Sequence, residues 1–90
     1  MWMQCLWDEQ KNEWLKSERL VSFEEISEEI LQHRYLDIIK NPTRDNQRCF
    51  LIRLKGYVWV VPFVVDEQRR LVLKTAYPSR KYQTRYGGEQ

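Results

Sequence analysis

The stretch Tyr57–Val65, YVWVVPFVV, constrains the fold more than any other part of this chain. Successive side chains of a strand point to opposite faces, so a strand that is apolar at both odd and even positions must be covered on both sides. These nine residues therefore predict a central strand. Pro62 conflicts with that, because proline cannot donate to a ladder. The conflict is met by a bulge, or by one side of the strand left unpaired near Pro62. The segment before it, Arg48–Leu54, alternates, with Phe50, Ile52 and Leu54 on one side and Cys49, Leu51 and Arg53 on the other. Lys55-Gly56 joins the two as a tight turn in which Gly56 takes a positive φ. Asp66 to Arg69 is a second turn. Residues 70–77 alternate again, and Pro78 ends them. A short strand over 35–39, broken by Asn41-Pro42-Thr43, precedes this meander.

The first third of the chain has a different period. Residues 1–7 suit an opening strand. Asp8 is an N-cap for a helix over 9–19, with Glu9 near the positive end of the helix dipole. Its apolar stripe is narrow and rests on Trp14 and Leu15. Ser22-Phe23-Glu24-Glu25 is a capping box, and Phe23, Ile26, Ile30 and Leu31 form the buried stripe of the helix it opens. Glu24, Glu25, Glu28 and Glu29 fall on its wet faces and read as a cap and a solvated surface, not as a general base or metal pair. His33 is expected in the last turn. A short helix over 79–86 closes the chain, stopped by Gly87-Gly88. The order of strand, two helices, then three or four strands argues one α+β domain across all 90 residues, with the helices on one face of an antiparallel sheet. The other face is then expected to carry basic groups and aromatics.

Several chemistries lack their parts. Three glycines, two of them adjacent at the end, cannot make a phosphate loop. Cys5 and Cys49 read as reduced thiols, and with His33 they form no metal-ligand set, so neither a metal nor a cofactor is expected. No apolar run reaches the roughly 18–20 residues of a membrane span, and no signal sequence is evident, so a cytoplasmic, membrane-free protein is expected.

Charge is more informative by halves than in total. The net charge is +2. Residues 1–40 hold nine acids against five bases, a net of −4, while residues 41–90 hold ten bases against four acids, a net of +6. The plain reading is a solvated surface with ion pairing between the halves. The sharper one rests on residues 74–86, where Lys74, Arg80, Lys81 and Arg85 occur without an acid and Tyr77, Tyr82 and Tyr86 lie between them. Guanidinium groups match phosphate bidentately and tyrosine rings stack on unpaired bases. Arg48 and Arg53 lie on a strand that could face the same way. The candidate set is thus Arg80, Lys81, Tyr82 and Tyr86 for catalysis, and Arg48, Arg53, Lys74 and Arg85 for RNA binding. Cleavage by a 2′-OH needs a proton acceptor, stabilisation of an anionic phosphorane and a proton donor. Arg and Lys supply the electrostatic part, and without histidine the proton falls to Tyr, Lys, Glu or Asp.

Trp7-Asp8-Glu9-x-Lys11-Asn12, followed by Val21-Ser22-Phe23-Glu24-Glu25 and, near the end, Ser79-Arg80-Lys81, resembles the BrnT-type toxins of bacterial type II toxin–antitoxin systems. The resemblance lies in the order and spacing of short motifs along nearly the whole chain. It departs where the family has Lys-His-Gly before its Phe-Glu-Glu helix, and again beyond Lys81. It implies a RelE/ParE-like fold and an endoribonuclease that inhibits translation. It also implies neutralisation by a cognate antitoxin of ribbon–helix–helix type, with DNA reached only through the toxin–antitoxin complex. Of the candidate residues, only Arg80 and Lys81 fall on matched positions. A non-catalytic module of the same fold, binding RNA or a protein, is the alternative.

Overall fold

The computed structural model describes residues 4–86. The elements in order are β1 (Cys5–Leu6), α1 (Glu9–Glu18), α2 (Phe23–Leu31), β2 (Asp37–Lys40), β3 (Arg48–Leu54), β4 (Tyr57–Val65), β5 (Leu71–Leu73), β6 (Tyr77–Pro78) and α3 (Arg80–Tyr86). The sheet runs β1-β5-β4-β3-β2, and β6 pairs with β4 off this path. Strands β2 to β5 form the expected antiparallel meander. The opening strand adds to its far edge, where β1 lies parallel to β5 in the register Cys5 to Leu71, so the sheet is mixed. After β1 the helical hairpin carries the chain to the opposite edge, and the meander brings it back. The opening-strand expectation at residues 1–3 and the stop at Gly87-Gly88 lie outside the described residues.

Strand β4 is covered on both faces. On one, Leu15 from α1 and Phe23, Ile26 and Ile30 from α2 pack on Phe50, Ile52, Trp59, Val61, Phe63, Leu71 and Leu73. Each fully buried large aliphatic or aromatic side chain here contributes roughly 1.5–3 kcal/mol. On the other face a smaller cluster of Cys49, Leu51, Val58 and Val60 is capped by Tyr82 and Tyr86 from α3. The molecule is therefore three layers: helical hairpin, sheet and one short helix.

Both predicted caps are formed. The Asp8 carboxylate accepts from the Gln10 N–H at 2.8 Å. Ser22 Oγ accepts from the Glu25 N–H at 3.1 Å, and the Glu25 carboxylate returns to the Ser22 hydroxyl. The narrow stripe of α1 differs from expectation. Leu15 is buried, but Trp14 is 46% exposed, and the second buried position is Asn12. Asn12 Oδ1 accepts from the Phe23 N–H at 2.8 Å and its Nδ2 donates to Glu24 Oε1 at 2.9 Å. One amide thus ties α1 to a free N–H in the first turn of α2. Leu31 is more exposed than its place in the stripe suggested. His33 lies past the end of α2, not in its last turn, with φ +60°. Its N–H bonds Ile30 O and the Arg34 N–H bonds Glu29 O, a Schellman cap with histidine in the usual glycine position. Leu20, just after α1, has the same left-handed φ of +60° and is 71% exposed.

The strand expected over 70–77 is two strands. Strand β5 pairs with Phe63 to Val65 of β4, and β6 pairs with Trp59 and Val60. Between them, Val61 and Pro62 have no strand partner on that edge. This is the second of the two resolutions of the Pro62 conflict: the missing N–H falls where the neighbouring chain has left the sheet. Lys74 N donates to Pro62 O at 2.8 Å as the chain departs. The Ala76 carbonyl freed in the break accepts from Arg19 Nη1 at 2.6 Å. Pro78, expected to end the strand, is inside β6, and α3 begins two residues later. The Lys55-Gly56 hairpin turn is as expected, with both residues left-handed.

Two stability outcomes follow from these local features. Asn12→Ala leaves the buried Phe23 N–H without a partner and should cost about 2–3 kcal/mol in urea unfolding. Leu20→Gly relieves an L residue of a left-handed backbone and should raise stability by about 0.5–1 kcal/mol in the same assay.

Candidate nucleic-acid interface

The sheet face covered by α3 carries part of the second half's cations: Arg53 of β3 and Arg80, Lys81 and Arg85 of the helix. Ser79 opens the helix: its Oγ accepts from the Tyr82 N–H, and its own N–H bonds Val58 O. Gln83 Oε1 accepts from the Val58 N–H at 2.9 Å. At the far end, Tyr86 OH donates to Asp37 Oδ2 at 3.1 Å and Tyr86 O accepts from Arg53 Nη2 at 2.7 Å. The helix thus lies across β4 and β3 and is tied to the edge strand β2.

The candidate residues divide as follows. Arg80 and Lys81 start α3 and are exposed. Lys81 Nζ and the Arg85 guanidinium sit over the Tyr82 ring, 5.2 and 5.7 Å from its centroid. Tyr82 and Tyr86 are half-buried and pack α3 onto the smaller cluster. The carboxylate of Asp37 holds the Tyr86 proton and raises its pKa above that of a free phenol, and the same bond ties the end of the helix to β2. Arg53 is on the same face. Arg48 is not: it alternates with Phe50 and Ile52, and it lines a recess on the hairpin side with Ile38 and Phe63. Positions 48 and 53 differ by an odd number, so one strand cannot present both on one face.

Lys74 joins residues that sequence reasoning did not assign to the site. It lines an open groove of about 420 Å³ with Lys11 of α1, Arg44 of the β2–β3 loop and Tyr77. Pro62 lines it too, at the break between β5 and β6. No acidic residue among the described residues lines the groove. Tyr77 links it to α3: burial, with Cys49 and Tyr82 nearby, pushes its phenol up from the ordinary value, so it stays protonated. The one signal in the sequence for this groove was Pro62 in an otherwise unbroken strand.

Ion pairing leaves this face alone. Among the described residues, the acids pair with Lys16, Arg34, Lys55 and Arg70. Lys55–Glu25 is the one pair among them that joins the two halves of the chain. Lys11, Arg44, Lys74, Arg80, Lys81 and Arg85 have no ion-pair partner among the described residues, so ion pairing between halves does not account for the basic excess. Burial raises both thiols, Cys5 and Cys49, to about 11, which keeps them protonated. No group of three His, Cys, Asp or Glu side chains gathers to hold a metal among the described residues. No helix among them is long and apolar enough to cross a membrane.

Because Cys49 is buried beneath α3, its alkylation reports how well that helix is seated. Tyr86→Phe, which removes the bond to Asp37, should speed maleimide labelling of Cys49 roughly two- to fivefold. An unchanged rate would mean that the phenol does not hold the helix.

No family model and no curated protein matches this sequence. Among solved structures, the chain is similar to the crystal structure of the Brucella abortus ribonuclease toxin BrnT, with a TM-score of 0.63 and 18% sequence identity over 86% of this chain and 96% of that one. The helical hairpin, mixed sheet and closing helix described above therefore constitute the fold of that toxin, kept at low sequence identity.

Proposed function

We propose that this chain is a toxin of a type II toxin–antitoxin system, a divergent BrnT-type endoribonuclease that cleaves mRNA and so inhibits translation in the cytoplasm. The observation that carries the reading is the cluster of cations on α3 and in the groove beside it, without ion-pair partners among the described residues and interleaved with tyrosines, on the fold of a ribonuclease toxin. Arg80 and Lys81 bind the scissile phosphate and stabilise the charge that develops on it. Arg53, Lys74 and Arg85 hold flanking phosphates, and Tyr82 stacks on a base or assists proton transfer. Attack of the 2′-oxygen forms the new P–O bond as the bond to the 5′-oxygen breaks. The 2′-OH proton leaves to a base, and the departing oxygen takes up a proton. The expected products are a 2′,3′-cyclic phosphate and a 5′-hydroxyl. The partner is a co-expressed antitoxin, of ribbon–helix–helix type, which covers this face and carries any operator-DNA binding.

The alternative, a binding module that does not cut, is favoured by one observation. The Tyr86 phenol is engaged by Asp37, which leaves proton transfer on α3 to Tyr82.

Induction of the protein in a bacterial host should arrest growth and yield new mRNA 5′ ends by primer extension. Arg80→Ala with Lys81→Ala should lower cleavage by about 100-fold or more. Full toxicity of that variant would remove these two residues from the site. Tight RNA binding without any cleavage by the wild type would favour the binding module.

A further inference from the structure

We propose that the groove at the β5–β6 break is a backbone-phosphate subsite for single-stranded RNA, gripped by Lys11, Arg44 and Lys74 with Tyr77 at its mouth. This rests on the reading that the α3 face binds RNA, and it extends the site beyond α3 to residues from the other end of the chain.

Three observations carry it. First, the three cations come from α1, the 41–47 loop and the end of β5, and they line one groove that holds no acid among the described residues. Second, the acids that flank Lys11 on α1 are engaged elsewhere. Glu9 accepts from the Trp7 indole at 3.0 Å, and Glu13 pairs with Lys16 at 3.5 Å. Third, the loop holding Arg44 is fixed without using its side chain. Asn41 Oδ1 accepts from the Thr43 N–H and hydroxyl, Asn41 Nδ2 donates to Gln47 Oε1, and Gln47 N bonds Arg44 O. The Arg44 side chain is left to line the groove.

The same network uses the Asn41 amide on Thr43 and Gln47. Besides its three cations the groove offers the Tyr77 phenol, the Gln47 amide and the Thr43 and Thr75 hydroxyls. The cations contact phosphate, which carries no sequence information, so their part of the recognition is indifferent to base sequence. Unpaired bases suit it, because Tyr77 and, beyond it, Tyr82 are rings on which an unstacked strand can lie. The groove opens only because β5 leaves β4 at Pro62.

Binding of a 5′-fluorescein 12-mer of 2′-O-methyl RNA, which cannot be cut by 2′-oxygen attack, tests the assignment by anisotropy across a salt series. Lys11→Ala with Lys74→Ala should weaken binding roughly tenfold or more. The salt slope should flatten by about 1.4, because each phosphate contact on a single strand is worth about 0.7. Oligo-U and oligo-A should be affected alike. Lys11→Arg with Lys74→Arg should keep most of the affinity, and urea unfolding of the alanine variant should match the wild type. If the alanine variant binds as the wild type does while Arg80→Ala with Lys81→Ala does not, the groove assignment fails and the RNA reading stands. If the alanine variant loses binding of a poly-glutamate peptide but keeps RNA, the groove belongs to a protein partner. If the wild type binds no RNA, both readings fail together.

Discussion

Everything in this molecule depends on covering β4 twice. A nine-residue strand that is apolar on both faces cannot sit at a surface, and a chain of 90 residues has few elements to spend on it. The hairpin of α1 and α2 covers one face with a full hydrophobic layer. The other face receives only the seven residues of α3, two tyrosines of which do the covering. That thin cover gives the second face its character. Around that cover Arg53 and Lys74 lie exposed, as do Arg80, Lys81 and Arg85 of the helix itself.

Pro62 has a similar reach. In a central strand a proline is a defect unless the neighbouring chain is absent on its N–H side. Here the neighbour divides into β5 and β6 around that point, and the interval between them is what admits Lys11 from the opposite layer to the cationic face. Arg19, at the end of the same helix, satisfies the carbonyl that the break frees. The helical layer and the open face are thus connected through a gap that one residue requires.

Much of this was legible in the chain. The bounds of β3 and β4, the two-residue turn between them and both helix caps follow from alternation, Gly56, Asp8 and Ser22, because each is decided by neighbours in sequence. What was not legible depends on partners far away. Asn12 and Trp14 point to nearly opposite sides of α1, each within reach of a stripe centred on Leu15, and hydrophobicity chose Trp14. The structure buries Asn12 instead, because only a side chain with both a donor and an acceptor can serve the start of α2. The division of residues 70–77 depends on Pro62, and so does the meeting of Lys11 with Lys74. Arg48 is different, since its parity already placed it opposite Arg53, and simple counting along the strand would have separated them.

Lys55–Glu25, the one ion pair between the two halves among the described residues, has an electrical consequence. Among the described residues, the cations of α3 and of the groove beside it, Lys11, Arg44, Lys74, Arg80, Lys81 and Arg85, have no ion-pair partner, so their charge is not cancelled locally. A polyanion is attracted to these cations more than to the acids of the hairpin, and that difference favours approaches in which they lead. The Debye length of about 8 Å at physiological ionic strength confines that bias to the last nanometre of approach. Orientation is therefore selected at the point of encounter, and salt sets how often an encounter is productive.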